Sequence, residues 1–407
     1  MIRRDHYLNQ LLSHQNDRLI KIMTGMRRVG KSTLLLMLSQ ELRKNGISDQ
    51  QIIYLNMESL SNAHLQDFMV LYKEVTAKVK PIQKHVYIML DEIQQVQQWE
   101  KVVNSFLVDL DCDIYITGSN AGLLSTDLST LLTGRYATIP VYPLSFAEYL
   151  DFIAAKEKIN PAETIDKTKQ FWNYMQCGGL PGIHQLQPDP VFIRLYLQDV
   201  LNSVVLKDVV LRHDIRNTEL LERILQYLMD NIGNIFSAKS IVDFLKNQGR
   251  KHSIETIYSY LQALQDALIF YKVRRYDLRG KRWLETQEKY YMNDLGLQYG
   301  MLGFNDQAIP GMLENVIFLE LLRRGYSVSV GKHNSAEVDF VAVKDGQPWY
   351  IQVAYLLASE GTLIREMNPL RAIDDNYRKT ILTMDMLPAT KIEGIERQNI
   401  PEFLLEG

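Results

Sequence analysis

The spacing of apolar positions changes character twice along the chain. Over residues 1–150 short apolar runs alternate with helical stretches, the pattern of parallel strands joined by crossover helices. The predicted strands are Leu19–Thr24, Ile52–Asn56, His85–Leu90, Ile114–Thr117 and Ala137–Tyr142. The first, third and fourth are nearly continuous apolar runs, as strands covered on both faces require. From 151 to about 285 amphipathic helices take over. Ser253–Ala267 predicts a helix with Ile254, Ile257, Leu261, Leu264 and Leu268 on one stripe. Phe270–Tyr276 and Trp283–Tyr291 then predict two strands around the turn Asp277–Gly280, the order of a winged helix. Beyond about residue 300 a helix (Gly311–Arg324) precedes strands at Tyr326–Val330, Glu337–Val343 and Trp349–Tyr355, and a last helix and strand end near Thr383.

The first strand runs into Gly25, Met26, Arg27, Arg28, Val29, Gly30, Lys31 and Ser32, which match G-x-x-x-x-G-K-[ST] in full, and an apolar helix opens at Thr33. The chemistry explains the spacing. Glycines let the backbone wrap until successive N–H groups face phosphate oxygens, and the helix N-terminus adds its positive end. Residues 25–33 are therefore the candidate ATP-binding loop, with Lys31 reaching the β- and γ-phosphates and Ser32 holding Mg²⁺. A second element agrees with the first. Val86–Leu90 is an apolar strand ending in Asp91 and Glu92, where Asp91 would serve the metal and Glu92 would polarise the attacking water. Asn56, closing the second strand, is a candidate to hold Glu92 inactive until a partner binds.

The polar patch Gly118-Ser119-Asn120 closes the fourth strand, and Arg135 stands just before the fifth. Together with the Walker run and Leu90-Asp-Glu-Ile93, these residues resemble a known family of prokaryotic AAA-type ATPases, whose C-terminal portion was long catalogued as a domain of unknown function. Further matches are Leu132-Thr-Gly-Arg135, Pro143–Leu150, Gly178-Gly-Leu-Pro181, Lys207-Asp208, Asn293-Asp-Leu-Gly296, Glu314-Asn315 and Glu337-Val-Asp-Phe340. The likeness spans nearly the whole chain. It implies an α/β protein with an AAA+ P-loop domain over 1–150, a helical lid over 151–213, a winged-helix domain over 214–300 and a restriction-endonuclease-like domain over 301–407. It also implies Asn120 as the sensor beside the γ-phosphate. Arg135 is either an arginine finger for a neighbouring subunit's ATP or a surface arginine in a turn. Self-assembly through the ATP site follows from the resemblance, with a hexamer among the ring sizes.

The later modules carry less chemistry. Between Lys246 and Lys289 ten basic residues face five acidic ones, a surplus of five positive charges gathered on the hairpin at Arg274, Arg275, Arg279, Lys281 and Arg282. Such a wing neutralises phosphates without reading bases. The helix before it has no Lys or Arg from Ser253 to Tyr271, which is poor for major-groove readout. A DNA- or RNA-backbone contact and a pure packing module both remain open. In the last domain Glu314 and Asp339 stand where PD-(D/E)xK nucleases place metal ligands. The next strand, however, carries Gln352 and Ala354 where a carboxylate and a lysine belong, so ordinary cleavage is not expected. Lys332 and Lys344 are the candidate substitutes.

Composition narrows the reading only slightly. With 45 basic and 48 acidic side chains the net charge is −3, so any nucleic-acid surface is a local patch. Two cysteines make no disulfide framework, and no apolar stretch is long enough for a membrane span. A cytoplasmic ATPase is expected, coupling turnover to sequence-independent nucleic-acid binding or remodelling. The rival is a nucleotide-dependent switch that binds a protein partner and carries an inactive nuclease-like domain.

Overall fold

A strand flanked on both sides and covered on both faces has to be buried throughout, and Ile20–Thr24 is. The computed structural model describes residues 2–406 apart from 125–130, 133, 158–164, 187–188, 251, 285, 335, 387 and 389. The chain divides into two compact units, Met1–Val141 with Asp266–Leu268, and Tyr142–Gln265 with Ile269–Gly407. Together they make a mixed α/β protein.

The first unit runs α1 (Asp5–Ser13), β1 (Ile20–Thr24), α2 (Lys31–Lys44), β2 (Ile52–Asn56), α3 (Phe68–Val79), β3 (Val86–Asp91), α4 (Trp99–Asp109), β4 (Cys112–Gly118) and β5 (Tyr136–Pro140). The five strands form one parallel sheet in the order β2-β3-β4-β1-β5. All five fall on the expected segments. The consequence that matters is that β4 lies between β1 and β3, so its C-terminal end stands between the loop after β1 and the acids after β3. One charge is buried inside this sheet. Lys21 pairs with Asp113, which also accepts from Tyr115 OH (2.7 Å) and Asn16 N (3.0 Å), so the ion pair is saturated rather than orphaned.

The second unit begins with helices α5 (Phe146–Glu157), α6 (Lys167–Cys177), α7 (Pro190–Val204), α8 (Thr218–Asp230), α9 (Ala238–Asn247) and α10 (Ile254–Asp266). Strands β6 (Phe270–Val273), β7 (Arg275–Asp277), β8 (Arg282–Trp283) and β9 (Lys289–Met292) follow, then α11 (Leu295–Leu302) and α12 (Ile309–Arg323). It closes with β10 (Ser327–His333), β11 (Ala336–Lys344), β12 (Gln347–Ala354), α13 (Glu360–Arg371), β13 (Arg378–Thr383), β14 (Thr390–Ile392), β15 (Ile395–Asn399) and α14 (Ile400–Leu405). Helix α12 is buried almost all round, from Met312 to Leu321, as its lack of a polar face demands.

Two features depart from expectation. The hairpin from Phe270 to Tyr291 is not one ladder. It breaks at Arg274, so that β6 pairs with β9 while β7 and β8 join an eight-stranded sheet ordered β14-β15-β13-β12-β11-β10-β7-β8. The join is parallel pairing of Arg275–Asp277 with Val330–Lys332. The basic turn is thereby the edge of a sheet rather than a free wing. The chain also continues past Thr383 into β14, β15 and α14. Strand β15 buries Gln398 and Asn399, so no apolar alternation announces it.

Two sequence motifs prove to be one junction. Gly178 ends α6 with φ +77°, and Asp294, capping α11, accepts hydrogen bonds from Gly179 N (2.7 Å) and Gly296 N (2.9 Å). A Cβ built on Gly178 would lie 2.1 Å from Asp294 Oδ1. Burial pushes the Asp294 carboxyl up to about 7 against the pull of these amides and Arg323. Gly178→Ala should cost about 1–3 kcal/mol from the left-handed backbone alone, and more from the overlap. Urea unfolding of the full chain measures it, and a loss below about 0.5 kcal/mol would mean that the junction yields freely.

Candidate active site

The loop between β1 and α2 is shaped by two left-handed residues, Arg28 (φ +70°) and Gly30 (φ +98°), the latter serving as N-cap of α2. Left-handed turns of this kind make consecutive amides converge. Gly25 is required for another reason. A Cβ there would lie 2.2 Å from the carbonyl oxygen of Val141. Arg4, buried just before α1, donates to Val29 O (2.9 Å) and so braces the loop from outside the motif. Arg27 pairs with Glu58 (2.6 Å).

Lys31 is buried in the mouth of this loop. Its Nζ donates to Gly25 O (2.8 Å) and Met26 O (3.0 Å) and stands 3.8 Å from Glu92 Oε1. Ser32 and Thr33 occupy the first turn of α2, half-buried. The donor set fits a triphosphate: curled amides, a helix N-terminus and an ammonium group share one concavity. Thr24 Oγ1 and Gln94 Oε1 flank it as buried polar atoms without a hydrogen-bond partner among the described residues.

The acidic pair is held from β2 and β4. Asp91 accepts from Thr117 Oγ1, Tyr54 OH (2.9 Å) and Asn56 Nδ2 (3.0 Å). Asn56 thus contacts Asp91 rather than the expected Glu92, because parallel register places it opposite Asp91, one residue earlier. Glu92 turns left-handed (φ +54°), its amide donates to Thr117 Oγ1 (2.9 Å), and its carboxylate accepts from Ser119 Oγ (3.0 Å) and Gln94 Nε2. Burial opposes the charge of Glu92, yet Lys31, Gln94, Arg27 and Ser119 hold its carboxyl below the usual glutamate value. Of the Gly118–Asn120 patch, Ser119 is the residue that touches Glu92, and Asn120 is half-buried beside it. Tyr54, Gln94 and Arg4 escaped sequence reading. Tyr54 and Gln94 stand two residues from Asn56 and Glu92, the one signal available for them, whereas nothing in the sequence ties Arg4 to the loop that it braces.

Arg135 lies elsewhere. It is exposed, and its carbonyl accepts from Ile20 N (2.9 Å) at the start of β1, so it stands on the opposite edge of the sheet from Lys31, about 16 Å along the strand. Thr133 of the same motif is outside the described residues. Asp208 is buried in a π-helical turn and pairs with Arg212 (3.2 Å).

A second polar cluster sits in the other unit. Glu314 on α12 and Asp339 on β11 come together, as their sequence positions suggested, but around a lysine that was not foreseen. Lys289 of β9 lies 2.9 Å from Glu314, 2.8 Å from Glu337 and 3.4 Å from Asp339, and Tyr291 OH donates to Glu314 (2.7 Å). Burial alone would discharge Lys289, but Tyr291 and the three carboxylates raise its pKa well above the ordinary lysine value. Glu314, pressed by burial and by Asp339, is pushed up to about 7. Gln352 approaches Asp339 N (3.4 Å), whereas Lys344 is committed elsewhere, to Arg324 O (2.8 Å). Among the described residues no group of three or more His, Cys, Asp or Glu side chains is arranged to hold a metal ion.

Residues 17–150 match the AAA domain family, and residues 168–308 match a domain of unknown function. An uncharacterized protein of Haemophilus influenzae is 38% identical over 406 residues, covering 100% of this chain and 99% of its own. An uncharacterized protein of Methanocaldococcus jannaschii is 31% identical, covering 95% of this chain and 86% of its own. Among solved structures, a Walker-type ATPase of Pyrococcus abyssi aligns with TM-score 0.49 at 17% identity, over 74% of this chain and 96% of its own. The Aeropyrum pernix ORC1 protein in complex with DNA aligns with TM-score 0.33 at 11% identity, over 74% and 92%.

The Lys289 cluster makes a pH-dependent prediction. The folded state raises the pKa of Glu314 to about 7, so stability falls as pH climbs from the unfolded glutamate value to about 7 and levels off above it. Removing the lysine enlarges that fall. Lys289→Met should lose about 3–5 kcal/mol at pH 8, and distinctly less at pH 5, where folded Glu314 is protonated. Urea midpoints at the two pH values decide it, and equal losses would deny the charge balance described.

Proposed function

The chain belongs to the family of these full-length relatives and carries an AAA domain, and on that premise we propose that it binds and hydrolyses ATP and couples turnover to sequence-independent binding or remodelling of nucleic acid. The observation that carries the ATPase reading is the buried Glu92, held by Ser119 and Gln94 with its carboxylate 3.8 Å from Lys31 Nζ. In this reading the amides of residues 25–33 grip the phosphates, and Lys31 exchanges its loop carbonyls for phosphate oxygens. Ser32 and Asp91 are the residues that would hold Mg²⁺, which neutralises phosphate charge when bound. Glu92 accepts a proton from the attacking water, and its lowered pKa keeps it ionised at neutral pH. Asn120 would sense the γ-phosphate. Arg135, remote from its own Lys31, suits a role at a neighbour's nucleotide in a homo-oligomer, a hexamer included.

The nucleic-acid half of the proposal is supported by the basic turn of Arg279, Lys281 and Arg282 at the sheet edge. Within this proposal the division into AAA+ domain (1–150), helical lid (151–213), winged helix (214–300) and restriction-endonuclease-like domain (301–407) is retained, the last without cleavage activity because Lys289 fills its carboxylate cluster. A second reading, a nucleotide-dependent switch with a protein partner, is favoured by one feature: Val191, Phe192 and Leu195 are exposed together on α7.

Glu92→Gln should retain ATP binding and lose turnover by about 10²–10⁴-fold, measured by calorimetry and phosphate release. Turnover with and without single-stranded DNA, at several salt concentrations, separates the two readings. DNA stimulation that fades steeply with salt is expected, and flat, slow turnover would favour the protein-partner switch. Arg135→Ala should cut turnover by about a thousandfold or more if the arginine completes a neighbour's site. Equal rates for mutant and wild type at every protein concentration would remove the shared site.

A further inference from the structure

The eight-stranded sheet has one face that is covered unevenly. Helix α13 and the segment after it pack Met367, Leu370 and Ile373 over Val338, Val341 and Tyr350, which closes the part built from β11, β12 and β13. The part built from β7, β8, β10 and the neighbouring ends of β11 and β12 receives no such cover from the described residues. A trough of about 800 Å³ lies there, with Tyr276, Val328, Val343 and Tyr350 in its floor and walls.

Its aromatic and charged groups are arranged in order. Trp283, on the hairpin side, is 55% exposed, and Tyr377, on the α13 side, is 43% exposed. Large aromatic surfaces left in water at both lips of a concavity are unusual for a core and useful for stacking. Trp283 stands edge-on to Tyr276 at 5.2 Å between ring centroids, and the hydroxyl of Tyr350 is tied to Asp375 at 2.7 Å, so neither floor ring turns freely. The hairpin turn brings Lys281 to the mouth and leaves Arg282 three-quarters exposed. The carboxylate of Asp277 accepts from the amides of Arg279 (3.2 Å) and Gly280 (3.0 Å) and lies 3.9 Å from Arg282 Nε, so it offsets part, not all, of the charge of Arg279, Lys281 and Arg282. Arg279 reaches across to Asn334 (3.2 Å). The mouth is thus positive on the hairpin side, while the exposed carboxylate of Asp374 marks the other wall as unsuited to phosphate.

We propose that this trough binds single-stranded nucleic acid, with bases stacked on Trp283 and Tyr377 and the phosphate track running along Lys281 and Arg282. The inference rests on the nucleic-acid reading above and locates it, away from the acidic helix α10. Single strands are favoured over duplex because the exposed faces of Trp283 and Tyr377 can stack on a base only when that base is unpaired. Positive charge at one lip argues for a polyanion rather than an apolar peptide. Any base preference would be slight, since stacking is tolerant of sequence.

The test uses the full-length protein and fluorescein-labelled oligo-dT of about one site length, read by anisotropy over a salt series. Wild type should bind oligo-dT more tightly than a duplex of equal length. Trp283→Ala and Tyr377→Ala should each weaken binding by roughly tenfold, and Arg282→Glu should also flatten the salt dependence. These side chains are exposed, so folding should survive, and near-ultraviolet circular dichroism checks it; Lys281→Glu is the fallback where an aromatic variant misfolds. Wild type that binds ATP but no nucleic acid at low salt overturns both this inference and the coupled reading. Wild type that binds oligo-dT as tightly as its Trp283 and Tyr377 variants overturns the trough alone. A dimer dissolved by Trp283→Ala, with no oligo-dT binding, assigns the face to a second copy and overturns the proposal.

Discussion

The order of the first sheet governs the nucleotide site. Because β4 is inserted between β1 and β3, its terminal hydroxyls, Thr117 and Ser119, are placed between an ammonium group on one side and two carboxylates on the other. Parallel strands end on the same edge, so three loops separated by dozens of residues deliver their polar groups to one line. Thr117 is the hinge of the arrangement, donating to Asp91 and accepting from the amide of Glu92. Without it the left-handed turn at Glu92 would lose the partner of its amide, and the carboxylate would not face Lys31. Preorganisation of this kind lets a buried carboxylate stay ionised despite desolvation.

Buried charge recurs through the molecule under the same rule. Lys21 is matched by Asp113, Lys289 by three carboxylates, and Asp294 by amides of two glycine-bearing segments. In each case at least one partner lies 25 residues or more away in sequence, and desolvation makes an unmatched member expensive. The consequences differ with geometry. Around Lys289 the ammonium group itself takes the centre of the carboxylates, which makes an internal ion cluster. Around Lys31 the ammonium group rests on carbonyls that it can surrender. A lysine with three anions is a strut, whereas a lysine on neutral acceptors is available to a ligand.

What the linear chain determined was local or periodic. Burial of strands on both faces requires unbroken apolar runs, so β1, β3 and β4 were legible, and a phosphate-binding turn requires glycines at set spacing, so Gly25 to Ser32 were too. The identity of Asp91 and Glu92 followed from their place at a strand end. Tertiary structure decided what depends on register and on distant pairing. Asn56 faces Asp91 rather than Glu92 because parallel register sets it one residue earlier, and Lys289 meets Glu314 only because β9 packs against α12 and β11. The basic hairpin joined a sheet edge because Arg275–Asp277 found a parallel partner in β10, and β15 entered the same sheet although it buries Gln398 and Asn399. Hydrophobic periodicity reports which face of a segment is buried; it carries no information on which polar atoms meet there, since those meetings are fixed by the three-dimensional closeness of residues that the chain keeps far apart.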